Sequence, residues 1–251
     1  MSFLEHLQEL RYRLMHAAAA IIAGFIICIS FSKNIFDFLS APLVELLPKN
    51  TSLVFTALPD PFFMYLKVSF VAGVFLAIPY VLYQVWKFIA PGLYQKERGL
   101  ALPFVVAATI LFYVGAVFAY FVVFPVVFKF FLGFQSTDLK PMISIKEYVS
   151  LIMKLMLAFG VIFETPIIIV FLGLLGLVNT TLLKKGRRYF VVLAFVIGAV
   201  LSPPDVLSQI LMGLPLLALY EISIHVLAML EKRRKTAEQE ESGASTPEES
   251  P

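Results

Sequence analysis

The sequence predicts an all-α membrane protein with six transmembrane helices, the last two short, and an N-terminal amphipathic helix lying along the surface. Three observations predict it. The 251 residues are 60% hydrophobic and only 15% charged, whereas ordinary soluble domains are about 45–50% apolar and about 25% charged. Long apolar runs recur between polar segments. The basic residues fall unevenly on the two sides that such runs would define.

Residues 2–13 (SFLEHLQELRYR) place Phe3, Leu4, Leu7, Leu10 and Leu14 at a spacing of three to four, the pattern of a helix lying on the membrane. Glu5 and Glu9 beside Arg11 and Arg13, with no small-residue cleavage motif, do not fit a cleavable signal peptide. The first span follows at 14–31. Residues 32–61, with four prolines, read as a long polar loop. The second span, 62–90, exceeds a hydrocarbon core of about 30 Å, so it must tilt, protrude or bend at Pro79. PGLYQKERG (91–99) is a short connection. The third span, 100–131, is broken near its end by Pro125, and residues 133–148 form a second polar loop.

The fourth span, 150–178, contains Glu164. A charged carboxylate at that depth costs about 2.5–3.5 kcal/mol on insertion scales. It must face protein or a water-filled cavity, be protonated, or serve a partner. Pro166 removes the backbone bond to the Ile162 carbonyl and predicts a kink beside the acid. A hydrogen bond to a neighbouring helix of the same chain is the plainer alternative.

The last two spans, 188–201 and 206–229, enclose the turn Ser202-Pro203-Pro204-Asp205. The apolar run 189–201 has 13 residues, about 20 Å of helix. It must thin the bilayer or be covered by partners. Residues 1–230 thus form the membrane domain. Residues 231–251 lack apolar periodicity and read as a disordered tail.

With six spans, 13 of the 20 Lys and Arg residues fall on the side of the termini and 7 on the other, and every Arg is among the 13. Both termini are therefore expected in the cytoplasm. The single Cys28 excludes an internal disulfide and a cysteine metal cluster. No HExxH, GxSxG, Walker or GxGxxG motif occurs, and His6, His16 and His225 stand near span ends without a catalytic constellation. No cofactor, metal, catalytic residue or nucleic-acid partner is expected.

Glu9, in the surface helix, and Glu97, between spans two and three, are acids on an otherwise basic face. They suit guanidinium groups, which a carboxylate binds through two parallel hydrogen bonds. From spacing alone, local pairing is simpler: Glu9 with Arg13 at i+4, and Glu97 with neighbouring Lys or Arg.

The motifs ELRYRL (9–14), APL (41–43), YQVWKFIAPGLYQKER (83–98), FYVGAVFAYFVVFP (112–125), AFGVIFETP (158–166) and LSPPDVLSQ (201–209), in this order, resemble the TatC family over residues 4–230. The resemblance implies the multi-span subunit of the twin-arginine protein translocase, in a bacterial-type cytoplasmic (inner) membrane. Such a subunit binds twin-arginine signal peptides of folded cargo at the cytoplasmic face. It assembles single-span TatA- and TatB-type partners, self-associates, and uses the protonmotive force. Glu9 and Glu97 match the acidic pair for the arginines, with Arg11, Phe88, Pro91, Leu93 and Tyr94 around them. Glu164 matches the membrane-embedded acid. Ser202, Asp205 and Gln209 match a polar patch for the small subunits, and Pro42 an outer-loop element of assembly. A proton-coupled transporter using Glu164 and an intramembrane enzyme are the alternatives; the first predicts solute transport by the purified chain alone, the second an activity that survives without partners.

Overall fold

The computed structural model describes residues 3–46, 53–89, 101–134, 142–201 and 206–244. Its helices are α1 (Phe3–Ile29), α2 (Ser32–Leu46), α3 (Asp60–Ile89), α4 (Ala101–Phe118), α5 (Phe124–Leu132), α6 (Ile145–Phe163), α7 (Thr165–Leu174), α8 (Thr180–Leu201) and α9 (Val206–Ala244). Among the described residues, five stretches are long and apolar enough to cross a membrane: 4–29, 60–89, 102–132, 145–174 and 209–233. The protein is therefore a multi-pass membrane protein. Helix α8 is not among the five, because its apolar part is preceded by Lys184, Lys185, Arg187 and Arg188.

Two helix crossings are built on glycine. Helix α1 packs on α3 where Gly24 meets Gly73. A Cβ at Gly24 would lie 2.6 Å from the Gly73 carbonyl oxygen, and one at Gly73 would strike the Phe25 backbone nitrogen. Helix α4 packs on α6 in the same way: Gly115 abuts the Phe159 carbonyl, and a Cβ at Gly160 would lie 2.7 Å from the Phe112 ring. In lipid, burying apolar surface does not drive helices together, so close backbone approach at small residues supplies the packing energy. The other face of α1, with Ile22, Ile26 and Ile27, stays exposed, as a lipid-facing surface requires.

The main core joins α2, α3, α5 and α6 around Leu43, Val68, Phe124, Tyr148, Ile152 and Phe159. It sits toward the end of the bundle that carries α2. At that end Val54 bridges to the start of α6, accepting from Ile145 N and donating to Ile143 O. Asp60, the first residue of α3, holds the turn before the helix by accepting from Ala57 N at 2.9 Å and Thr56 Oγ1 at 3.1 Å.

Four expectations change. The amphipathic segment 2–13 is not a separate surface helix: it runs without a break into the first span as α1. Leu4, Leu7 and Leu10 are exposed along its outer side. Residues 32–61 are not all loop, since 32–46 form α2, an amphipathic helix whose Leu39, Ser40 and Leu43 are buried. Proline counts alone hid it; Pro42 is tolerated because partners on other helices satisfy the backbone it disrupts. The fifth helix starts at Thr180, eight residues before the expected span, so only its apolar part is short. Finally, residues 231–244 continue α9 instead of ending it. Glu, Lys, Arg, Gln and Ala are good helix formers, and extending an existing helix avoids the nucleation cost.

Pro125 acts through a wider turn. Residues Ala119–Val123 form a π-helical turn, with Phe124 N–H reaching back to the Ala119 carbonyl. That turn stands directly before the proline, and the apolar stretch continues through it into α5.

Candidate functional site

Two polar features sit near the ends of α3, α1 and α7, away from α2. The first is a rim at the start of α1. Glu9 Oε1 accepts from Arg13 Nε at 3.1 Å and also from Nη2. Arg13 Nη1 donates to Oε1 of Gln84, a buried residue of α3, at 3.4 Å. The local i+4 pair that spacing suggested is therefore formed. It does not use up the acid, since Glu9 Oε2 is buried and accepts no bond among the described residues. One α3 turn on, the half-buried Phe88 stacks on His6 with ring centroids 4.5 Å apart. Arg11 is exposed beside this rim. Glu97, Pro91, Leu93 and Tyr94 lie outside the described residues, in the segment that leaves α3 just past Phe88.

The second feature is a cavity of about 320 Å³ between α3, α4 and α7. Glu164 stands at the junction between α6 and α7, where the predicted break occurs. The carbonyl of Ile162 that Pro166 frees is not left as a polar notch. The Thr165 hydroxyl donates to it at 2.6 Å. The polarity of the site thus comes from Glu164 itself, which is 8% exposed and whose Oε1 is buried without a hydrogen bond among the described residues. Leu82, Val85, Phe104, Ile168 and Phe171 form apolar walls. Trp86 also lines the cavity, stacked on Phe104 at 4.8 Å and edge-on to Phe171 at 5.4 Å. Its indole N–H is likewise buried and unpaired among the described residues. An acceptor and a donor therefore stand unsatisfied in one apolar cavity. Each such orphan costs about 1–3 kcal/mol, and both are relieved by one guest that carries a donor and an acceptor.

Sequence reasoning missed Gln84, Trp86 and His6. Helix α3 is apolar nearly all round, so periodicity could not tell which face meets protein. A lone indole and a lone amide inside such a helix were the available signal.

Toward the last hairpin, Gln209 Nε2 donates to the Phe195 carbonyl at 3.0 Å, and its backbone presses on Gly198. Ser202 and Asp205 lie outside the described residues. At its other end the hairpin is clasped. Glu231 accepts from Thr180 N at 3.0 Å and Oγ1 at 2.6 Å, capping α8 from α9. Arg187 pairs with Glu221 at 2.7 Å, and Tyr220 donates to the Leu183 carbonyl at 2.9 Å. Pro42 lies within α2, near the opposite end of the bundle from Glu9.

A family model described as Sec-independent protein translocase protein (TatC) matches residues 5–215. A TatC of Magnetococcus marinus is 50% identical over 236 residues, covering 94% of this chain and 86% of that one. A TatC of Escherichia coli strain K12 is 42% identical, covering 87% and 85%. The crystal structure of the twin-arginine translocase receptor TatC superposes with a TM-score of 0.81 at 41% identity, over 89% of this chain and 98% of that one. By sequence over most of its length and by fold, the chain belongs to the TatC family of Sec-independent protein translocases.

Proposed function

We propose that this chain is the signal-peptide receptor and assembly platform of its twin-arginine translocase. Membership of the family makes it a transport protein of the twin-arginine system, part of the Tat complex and not a catalytic enzyme. The finer reading rests on one observation: the last turns of α3 carry both polar features. Gln84 accepts from Arg13, the partner of Glu9, at the rim, while Leu82, Val85, Trp86 and Ile89 line the Glu164 cavity. A carboxylate rim and an apolar cavity on the same turns of one helix fit a peptide with an arginine pair followed by an apolar segment.

In this reading Glu9 and Glu97 receive the arginines at the cytoplasmic face of the inner membrane. Arg11, Phe88, Pro91, Leu93 and Tyr94 shape the rim. Glu164 and Trp86 receive the inserted segment or a partner helix. Ser202, Asp205 and Gln209 contact single-span TatA- and TatB-type subunits, and Pro42 supports assembly. Self-association and the protonmotive force complete export of the folded cargo.

The test is a double-mutant cycle between Glu97→Gln and single Arg→Lys changes in a signal peptide. Lysine keeps the charge but loses the planar fork. Glu97→Gln should weaken binding of an Arg-Arg peptide about tenfold or more, the loss expected of a charge-assisted hydrogen bond. Glu9→Ala should have an equal or smaller effect, since Glu9 is already shared with Arg13. Zero coupling at both arginines with binding otherwise intact would place their recognition elsewhere.

Orientation has its own check. In a Cys28→Ala background, cysteines at Asn50 and Thr137 should react with an impermeant reagent from outside, and those at Gln95 and Lys185 only after permeabilisation. External labelling at Gln95 would reverse the topology.

A further inference from the structure

Three of the helix prolines, Pro42 and Pro79 inside their helices and Pro166 in the first turn of α7, share a feature that the proposed function leaves unused. A proline cannot donate to the carbonyl four residues before it, and in lipid that carbonyl must find another donor. Pro42 frees Phe38 O, and the Tyr120 hydroxyl donates to it at 2.6 Å. Pro79 frees Phe75 O, and the Tyr113 hydroxyl donates to it at 2.8 Å. Pro166 frees Ile162 O, which Thr165 takes. Each of these three prolines thus creates an acceptor, and a hydroxyl occupies it. At Pro42 and Pro79 the hydroxyl comes from a different helix, so the proline makes an interhelical joint.

The Pro42 joint matters most, because α2 is not itself a span and must be held onto the bundle from outside. Tyr120 belongs to the π-helical turn and is buried, and its ring stacks on Phe38 at 4.8 Å, 5° from parallel. Next to this bond the buried Tyr148 of α6 donates its hydroxyl to the Leu39 carbonyl. Two tyrosines from two helices thereby grip adjacent carbonyls of one turn of α2. The π-helical turn changes the rotational register of its residues relative to an ordinary α-helix, so the bulge is part of how Tyr120 is aimed.

We propose that Pro42 works as a missing donor, and that Tyr120 and Tyr148 are the positioning residues that clamp α2 across the end of the bundle. Its bearing on export rests on the reading of Pro42 as an assembly residue. A proline that only stiffened α2 would need no tyrosine. The missing amide and the hydroxyl are complementary, and neither side of the joint has value alone. In Pro42→Ala the restored N–H takes Phe38 O back into the helix and strands the Tyr120 hydroxyl.

The experiment uses the full chain with its partner subunits in native membranes. The variants are Pro42→Ala, Tyr120→Phe, Tyr148→Phe and the Pro42→Ala/Tyr120→Phe pair, with lactic acid also placed at position 42. That last change gives a backbone ester, which lacks the N–H without being a ring. Hydrogen exchange of the α2 amides and the size of the assembled complex are read together. Tyr120→Phe keeps the stacked ring, yet α2 should exchange about tenfold faster, as for one lost hydrogen bond. Pro42→Ala should do the same, and the pair should be no worse than either alone. The ester should behave as the natural chain does. Unchanged α2 exchange in Tyr120→Phe, or an ester that behaves like alanine, would overturn the joint. Faster α2 exchange with a complex of normal size would keep the joint and overturn the assembly role of Pro42.

Discussion

A chain carrying Glu164→Leu is expected to insert, fold and be more stable than the natural protein, yet to export cargo at least tenfold more slowly. The two effects have opposite signs because the carboxyl is a burden in the isolated chain. Its Oε1 is buried without a partner among the described residues, in a cavity that is otherwise walled by apolar side chains and one indole. Removing such an orphan returns about 1–3 kcal/mol to the fold. The same change removes the acceptor that a guest's donor would meet, and about 1.4 kcal/mol in that contact is tenfold in its affinity. Glu164→Gln keeps shape and an acceptor, so it should retain most of the export rate. Trp86→Phe, which removes the indole N–H and keeps an aromatic ring, should resemble a mild Glu164 variant. Thermal unfolding of the purified chain and export rates in cells check both halves. A Glu164→Leu protein that is destabilised, or that exports normally, would make the acid a structural residue.

Gly73→Leu is expected to separate α1 from α3 and abolish export. Overpacking a core commonly costs about 1–3 kcal/mol when side chains can shift. Here the added Cβ meets the backbone of Phe25 and Gly24, which cannot turn aside. Helix α1 has α3 as its principal neighbour, so it has little else to hold it. The loss reaches the rim, because Glu9 and Arg13 stand on α1 and Gln84 on α3. A disulfide probe between cysteines at positions 6 and 88, where His6 and Phe88 stack, should form readily in the natural background and lose most of its yield with Gly73→Leu. Gly24→Ala strikes the same crossing and should not add to Gly73→Leu. Ala18→Val, on the exposed side of α1, should leave the yield unchanged. An undiminished yield in Gly73→Leu would mean that the crossing is not what seats α1.

Legibility in the sequence depended on how local each cause is. The break at Glu164 was legible because proline acts on its own helix turn. The Glu9–Arg13 pair was legible because i and i+4 meet on any helix. Helix α2 was not legible, since what holds it lies far along the chain: Tyr120 and Tyr148 supply hydroxyls to Phe38 and Leu39. The same distance hid Trp86, whose role depends on Phe104, Phe171 and Glu164 converging from other helices. Glu231 was read as the first residue of a tail, and its task as the cap of α8 depends on the hairpin being folded. The family motifs carried the rim residues beyond Phe88, which no periodicity marks.

The central claim is that one peptide lies along α3, with its arginines at the rim and its apolar segment in the Glu164 cavity. The direct measurement is photo-crosslinking from single sites in the assembled translocase to a twin-arginine signal peptide, with the linked peptide residue mapped. A crosslinker at Gln84 or Glu97 should capture residues at or beside the arginine pair. A crosslinker at Ile168 or Phe171 should capture the apolar segment of the same peptide, and Arg-Arg→Lys-Lys should diminish both. Capture of the apolar segment at Gln84, or cavity crosslinks that persist undiminished when the arginines are replaced, would contradict the account.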